Sequence, residues 1–115
     1  MVYEATDKTF DELIQDDYVV VDFYGTHCGP CKLLEPIFNE MSNDYAMVKF
    51  VKANVDHCPE LKERFQIYAV PTLKYFRDGK LFRDGKRHGE RNVMDSELAK
   101  LLYDSGDCYG KNQSE

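Results

Sequence analysis

Residues 19–24 read Val19-Val20-Val21-Asp22-Phe23-Tyr24, and the apolar residues beyond them, Leu33, Leu34, Ile37, Phe38 and Met41, recur at helical spacing. A near-continuous apolar run is the pattern of a strand covered on both faces, and such strands sit in sheets sandwiched between helices. The same switch of period recurs along the chain. Val48, Phe50 and Val51 to Val55 predict a second strand. Pro59, Leu61 and Phe65 predict a short helix, with Pro59 in its first turn and a Glu60–Arg64 pair one turn apart. Val70 to Phe76 predict a third strand with proline at its start, where one is tolerated. Asp78-Gly79 predicts a hairpin tip. Met94, Leu98, Leu101 and Leu102 share one face of a last helix, with Asn92 as its N-cap. Thr9 and Glu12 have capping-box spacing ahead of Leu13 and Ile14. The order is β-α-β-α-β-α-β-β-α. It describes an α/β protein with a parallel first half, an antiparallel hairpin second half, and helices on both faces of a mixed sheet.

The chain has 115 residues, 43% of them hydrophobic, which is enough for one domain with a buried core. Its net charge of −6 does not suit non-specific binding of nucleic acid. No apolar stretch is long enough to span a bilayer, so no membrane partner is expected. The segment Met1 to Asp7 has neither a basic n-region nor an apolar h-region, which leads to the expectation of a cytoplasmic protein.

Phe76-Arg77-Asp78-Gly79-Lys80 is repeated as Phe82-Arg83-Asp84-Gly85-Lys86. Two Asp-Gly pairs compete for the hairpin turn. Asp78-Gly79 leaves a normal strand before it, and Asp84-Gly85 is then a bulge or second turn. The stretch from Lys74 to Arg91 is basic, as expected of an edge strand defended by charge. A docking surface for an acidic partner is the alternative.

Chemistry centres on Cys28-Gly29-Pro30-Cys31, placed directly after the buried-type strand and at the start of an amphipathic helix. Pro30 suits a first helical position. Cys28 then lies at the helix N-terminus, where unpaired N–H groups and the macrodipole stabilise a thiolate, the reactive form of the thiol. Cys31, one turn later, is close enough to form a disulfide and is more shielded. The competing reading is half of a zinc site. It would need His57, Cys58 or Cys108 as further ligands, and no second pair at this spacing exists, so no metal is expected. Asp22 is a carboxylate inside an apolar strand. Burial raises the pKa of such a group and suits it to proton transfer near neutrality. Lys52, in the neighbouring strand, is its candidate partner.

The segment Val21-Asp22-Phe23-Tyr24-Gly25-Thr26-His27-Cys28-Gly29-Pro30-Cys31-Lys32 resembles the active-site segment of the thioredoxin family. The resemblance runs over about residues 4–103, leaving 104–115 as a C-terminal tail of a single domain spanning 1–115. It takes in Pro36, expected to kink the active-site helix, and Lys52 within Lys52-Ala53-Asn54-Val55-Asp56. It also takes in Val70-Pro71-Thr72, where the family places a cis-proline facing the cysteines. The resemblance implies the thioredoxin fold, with a central mixed sheet of four to five strands flanked by about four helices. It implies a thiol–disulfide oxidoreductase that reduces protein disulfides. Cys28 would be the nucleophile, Cys31 the resolving thiol and Asp22 the proton acceptor. His27, Gly29, Pro30, Val70, Pro71 and the loop at Gly89 would hold the substrate. No cofactor is implied beyond the Cys28–Cys31 disulfide. An NADPH-dependent thioredoxin reductase would supply electrons to a monomer.

The chain also departs from the family. The residue before the nucleophile, normally tryptophan, is His27, and Phe23-Tyr24-Gly25 stands for the usual Phe-Trp-Ala. A neighbouring imidazolium would favour the Cys28 thiolate and make the couple less reducing. Pro71 to Gly89 is about two residues longer than the family pattern. Cys58 and Cys108 lie outside the motif. They read as a small residue near a helix start and a thiol in a polar tail, with an intermolecular disulfide as the alternative. Two other functions remain open: a disulfide donor or isomerase, and a thioredoxin-fold binding module.

Overall fold

The apolar run at residues 19–24 is the central strand of a five-stranded sheet of order β1-β3-β2-β4-β5. The computed structural model describes residues 1–86 and 90–104. The strands are β1 (Val2–Ala5), β2 (Tyr18–Tyr24), β3 (Lys49–Asn54), β4 (Thr72–Arg77) and β5 (Lys80–Asp84). The helices are α1 (Phe10–Leu13), α2 (Gly29–Asp44), α3 (Pro59–Arg64) and α4 (Arg91–Tyr103). β1, β3 and β2 run parallel, while β4 and β5 are antiparallel to their neighbours. The mixed sheet expected from the element order is therefore present.

Alternation along β2 divides its side chains between two cores. Val19, Val21 and Phe23 join Phe10, Leu61 and Phe76 on the side of α1 and α3. Val20 joins Leu34, Phe38, Met94 and Leu98 on the side of α2 and α4. The first core is built on phenylalanine. The ring centroid of Phe10 lies 5.4–6.1 Å from those of Phe23, Phe65 and Phe76. Each such aromatic contact adds roughly 0.5–1.5 kcal/mol beyond the area it buries. Asp22, between Val21 and Phe23, necessarily points with Val20 toward α2.

The hairpin tip is Asp78-Gly79, with φ of 54° and 79°, the left-handed values a two-residue turn requires. The second Asp-Gly pair is neither turn nor bulge. The extra residue is Phe82, since Tyr75 pairs with Arg83 and Phe76 with Leu81. Gly85 lies just past the end of β5 and still donates to the Leu73 carbonyl at 2.8 Å. A Cβ there would stand 2.9 Å from Leu73 Cβ, so close backbone approach explains this glycine. Most described cations of the basic stretch are engaged by the chain itself. Lys74 pairs with Asp84, Arg77 donates to the carbonyls of Leu101 and Asp104, and Arg91 binds Glu40, Asp44 and Asp95. This fits a charged edge and a clamp between α2 and α4.

Three local expectations are corrected. Thr9 precedes α1, but its Oγ1 accepts from the Thr6 N–H at 2.9 Å, so the turn before the helix takes the oxygen a capping box would use. α4 is flanked by Glu90, not Asn92, which lies inside the first turn and accepts from Val93 N–H. Arg64 reaches Asp11 at 2.8 Å and stacks over Phe65 instead of pairing with Glu60. The N-terminus of α3 is closed from outside, because the Asp7 carboxylate accepts from Glu60 N–H and Leu61 N–H. α2 is unbroken at Pro36, whose missing N–H forgoes only the bond to the Lys32 carbonyl. Gly89 and Cys108 lie outside the described residues.

Candidate active site

The helix α2 begins at Gly29, making Cys28 its N-cap in extended conformation. Pro30 is thus the second helical residue, not the first, still within the turn where its missing N–H has no intrahelical partner to lose. The Cys28 Sγ accepts the Cys31 N–H at 3.2 Å. No acidic residue occupies the first turn, so nothing there offsets the positive end of the helix dipole. Cys28 and Cys31 are joined as a disulfide with their Cα atoms 5.2 Å apart. The Val70–Pro71 peptide is cis, and the Val70 carbonyl oxygen lies 3.8 Å from Cys28 Sγ.

The two cysteines open on different spaces. Cys28 lines an outer groove of about 330 Å³ with His27, Tyr68, Ala69 and Val70. His27 and Tyr68 are exposed there. Cys31 lines an inner cavity of about 260 Å³ with Asp22, Glu35, Lys52 and Asn54. Both cysteines are buried, at 8% exposure for Cys28 and 5% for Cys31. Gly29 and Pro30 form the exposed rim between them.

Asp22 is 4% exposed, and its Oδ1 has no hydrogen-bond partner. Burial pushes its carboxyl up to about 7; Lys52 pulls it down, while Glu35 and Glu4 push it further up. Lys52 stands opposite Asp22 in the β2–β3 register but does not bond to it. Its Nζ lies 3.6 Å from both Glu4 and Glu35, so the expected partner acts on Asp22 only through space.

Residues not singled out by the sequence complete the site. The Asp56 carboxylate accepts from Thr26 N–H at 2.8 Å, which holds its pKa below the usual carboxylate value. Asn54 Nδ2 donates to Thr26 Oγ1, and Asn54 Oδ1 accepts from Asp56 N–H. Together they tie the loop carrying His27 to the end of β3. Tyr24 O–H donates to the Glu4 carboxylate, 3.0 and 2.8 Å from its two oxygens; burial first, and this bond second, raise the phenol pKa above its ordinary value. The segment Lys52 to Asp56 belongs to the sequence resemblance, so Asn54 and Asp56 were within reach of it. Glu4 and Glu35 carried no such signal.

Cys58 is 2% exposed in the α1–α3 core, its Sγ 3.8 Å from the Ala5 carbonyl, and burial pushes its thiol up. It cannot present an exposed thiol for an intermolecular disulfide. Among the described residues no group of three or more His, Cys, Asp or Glu side chains is placed to hold a metal, and no helix is long and apolar enough to cross a membrane.

A dithiol–disulfide pair at the mouth of a helix, on a mixed sheet between two helical layers and beside a cis-proline, defines a thiol–disulfide exchange protein. A thioredoxin family model matches residues 1–102. A thioredoxin of Mycoplasmoides gallisepticum is 48% identical over 84 residues, covering 73% of this chain and 80% of that one. A thioredoxin of Staphylococcus haemolyticus is 39% identical over 79 residues, covering 68% and 76%. A solved chain from work on thiol resolving in yeast mitochondrial 1-Cys peroxiredoxin via glutathione/thioredoxin systems superposes with a TM-score of 0.79. It is 29% identical, and the match covers 86% of this chain and 94% of that one. The chain belongs to the thioredoxin family and is a thiol–disulfide oxidoreductase that reduces protein disulfides.

Proposed function

We propose that Cys28 is the attacking sulfur and Cys31 the resolving one, with Asp22 as the proton acceptor for Cys31. In the reduced chain the Cys28 thiolate attacks one sulfur of a substrate disulfide. That S–S bond breaks, a mixed disulfide forms, and the displaced substrate thiolate takes a proton from water. Cys31 then gives its proton to Asp22, through a water in the shared cavity, and its thiolate attacks Cys28 Sγ. The mixed disulfide breaks, the second substrate thiolate leaves, and two electrons have passed to the substrate.

The observation carrying this reading is the division of spaces: Cys28 opens on the outer groove, and Cys31 shares an inner one with an unpartnered, buried carboxyl. Val70 and Pro71, with His27, Gly29 and Pro30, would hold an extended substrate segment along the groove, and the loop at Gly89 would close it. Lys52 tunes Asp22 by its charge. Electrons return from an NADPH-dependent thioredoxin reductase, with no bound cofactor. A cytoplasmic monomer is the setting we propose. Insulin reduction with and without such a reductase tests the assignment. Turnover should require the reductase and should vanish in Cys28→Ser. Turnover surviving in that variant overturns it.

A second reading, net oxidation of substrates, draws on the exposed His27 beside Cys28, since a cation there favours the thiolate and makes the couple less reducing. A redox titration of Cys28–Cys31 against glutathione and against a dithiol buffer separates the two.

A further inference from the structure

The inner cavity holds more charge than the exchange reaction needs. Around Asp22 stand Glu4 from β1, Tyr24 from β2 itself, Lys52 from β3, and Cys31, Lys32 and Glu35 from α2. On its β4 side the opposing residue is the uncharged Leu73. Lys52 is the one cation across the strand register from Asp22, yet Asp22 Oδ1 is left without a partner. The ammonium is held elsewhere three times over. Glu4 and Glu35 each lie 3.6 Å from Nζ, and the Tyr24 ring lies beneath it with its centroid 5.6 Å away. Tyr24 also fixes Glu4, its one hydroxyl proton shared between the two carboxylate oxygens.

We propose that Glu35 and Glu4 are positioning residues that hold the Lys52 ammonium on the solvent side of the cavity, away from Asp22, so that the carboxyl stays free to take the Cys31 proton. A lysine released from this clamp has a buried carboxylate within its register position as its natural partner. Such a pair would hold Asp22 ionised and weaken it as a base. The direction of each charge on Asp22 agrees, with Glu35 and Glu4 raising its pKa and Lys52 lowering it. Each contact is long and partly exposed, so neither alone would be worth much. They need only bias the direction of one flexible side chain.

The proposal rests on the reading of Asp22 as the proton acceptor, and the test separates the two. The Asp22 carboxyl is titrated by carbon NMR in the oxidised protein, where neither Cys28 nor Cys31 titrates, for the parent, Glu35→Gln, Lys52→Met and the double variant. Glu35 is exposed on α2, so its variant keeps the fold. The expected result is a fall of roughly one pH unit or more in the Asp22 midpoint for Glu35→Gln. The fall should be much smaller when Lys52 is already methionine, and Glu4→Gln should move the midpoint the same way. An equal fall in both backgrounds would show direct repulsion only and overturn the positioning role, as would no fall at all. Failure of the underlying reading shows elsewhere: Asp22→Asn would leave the pH profile of mixed-disulfide resolution unchanged.

Discussion

Asp22 and Cys31, one on the central strand and one in the first turn of α2, line the same cavity. The carboxyl has no hydrogen-bond partner on Oδ1, and the sulfur belongs to the dithiol pair. A buried carboxyl without a partner costs stability when it ionises, and such a cost is often found where a group serves chemistry.

That cost has a pH signature. The folded chain holds the Asp22 proton more tightly than the unfolded chain does, since its carboxyl rises from 3.8 to about 7. Stability from this group is therefore greatest below the unfolded value and is lost as pH rises through the folded one. At about 1.4 kcal/mol for each tenfold change, the loss reaches at most about 4 kcal/mol above pH 7. Asp22→Asn should remove it. Urea unfolding of oxidised parent and variant should show the variant gaining stability over the parent between pH 4.5 and 8. A difference independent of pH would contradict the buried-carboxyl assignment.

The same substitution should slow resolution without blocking attack. With Cys31→Ser, a mixed disulfide should accumulate and be visible as a covalent adduct by intact mass. With Asp22→Asn, the adduct should form at the parent rate and decay roughly a hundredfold more slowly, in line with the usual worth of a general base. Equal decay rates would remove Asp22 from the resolving step.

His27 stands where the family usually has tryptophan, and it can carry charge beside Cys28, the proposed nucleophile. His27→Trp should raise the midpoint of Cys28 alkylation in the reduced protein, because a cationic neighbour no longer favours the thiolate. The pH dependence of the alkylation rate measures this, and an unmoved midpoint rules out the electrostatic role.

On the opposite face, Phe10 is fully buried among Phe23, Phe65 and Phe76. Phe10→Ala should cost about 3–5 kcal/mol in denaturant unfolding. The surviving folded fraction should keep its exchange activity, since the ring contacts neither the groove nor the inner cavity. A cost below about 1 kcal/mol would mean that the site collapses to fill the space.

Much of this arrangement could be read along the chain because it is local. The run at residues 19–24, the helical period after Cys31 and the Asp78-Gly79 turn each carry their own backbone logic, and each stands in the structure, except that Leu33, read with the apolar residues of the helix, is 76% exposed. What could not be read depends on residues that meet only after folding. Asp7 closes α3 from the loop after β1, Arg64 finds Asp11 rather than Glu60, and Glu4 and Glu35 come together on Lys52 from two different elements. The second Asp-Gly pair misled because Gly85 answers to its close approach to Leu73, not to a turn. Asp22 was legible as a misfit in its strand. That Lys52 would turn away from it was not.

The most direct test of the exchange chemistry is to treat the reduced protein with a limiting amount of iodoacetamide near pH 6.5 and map the modified residue by mass, following insulin reduction in parallel. The helix-mouth account predicts a single adduct on Cys28 and loss of turnover in proportion to it. First modification at Cys31, or turnover persisting once Cys28 is alkylated, would contradict it.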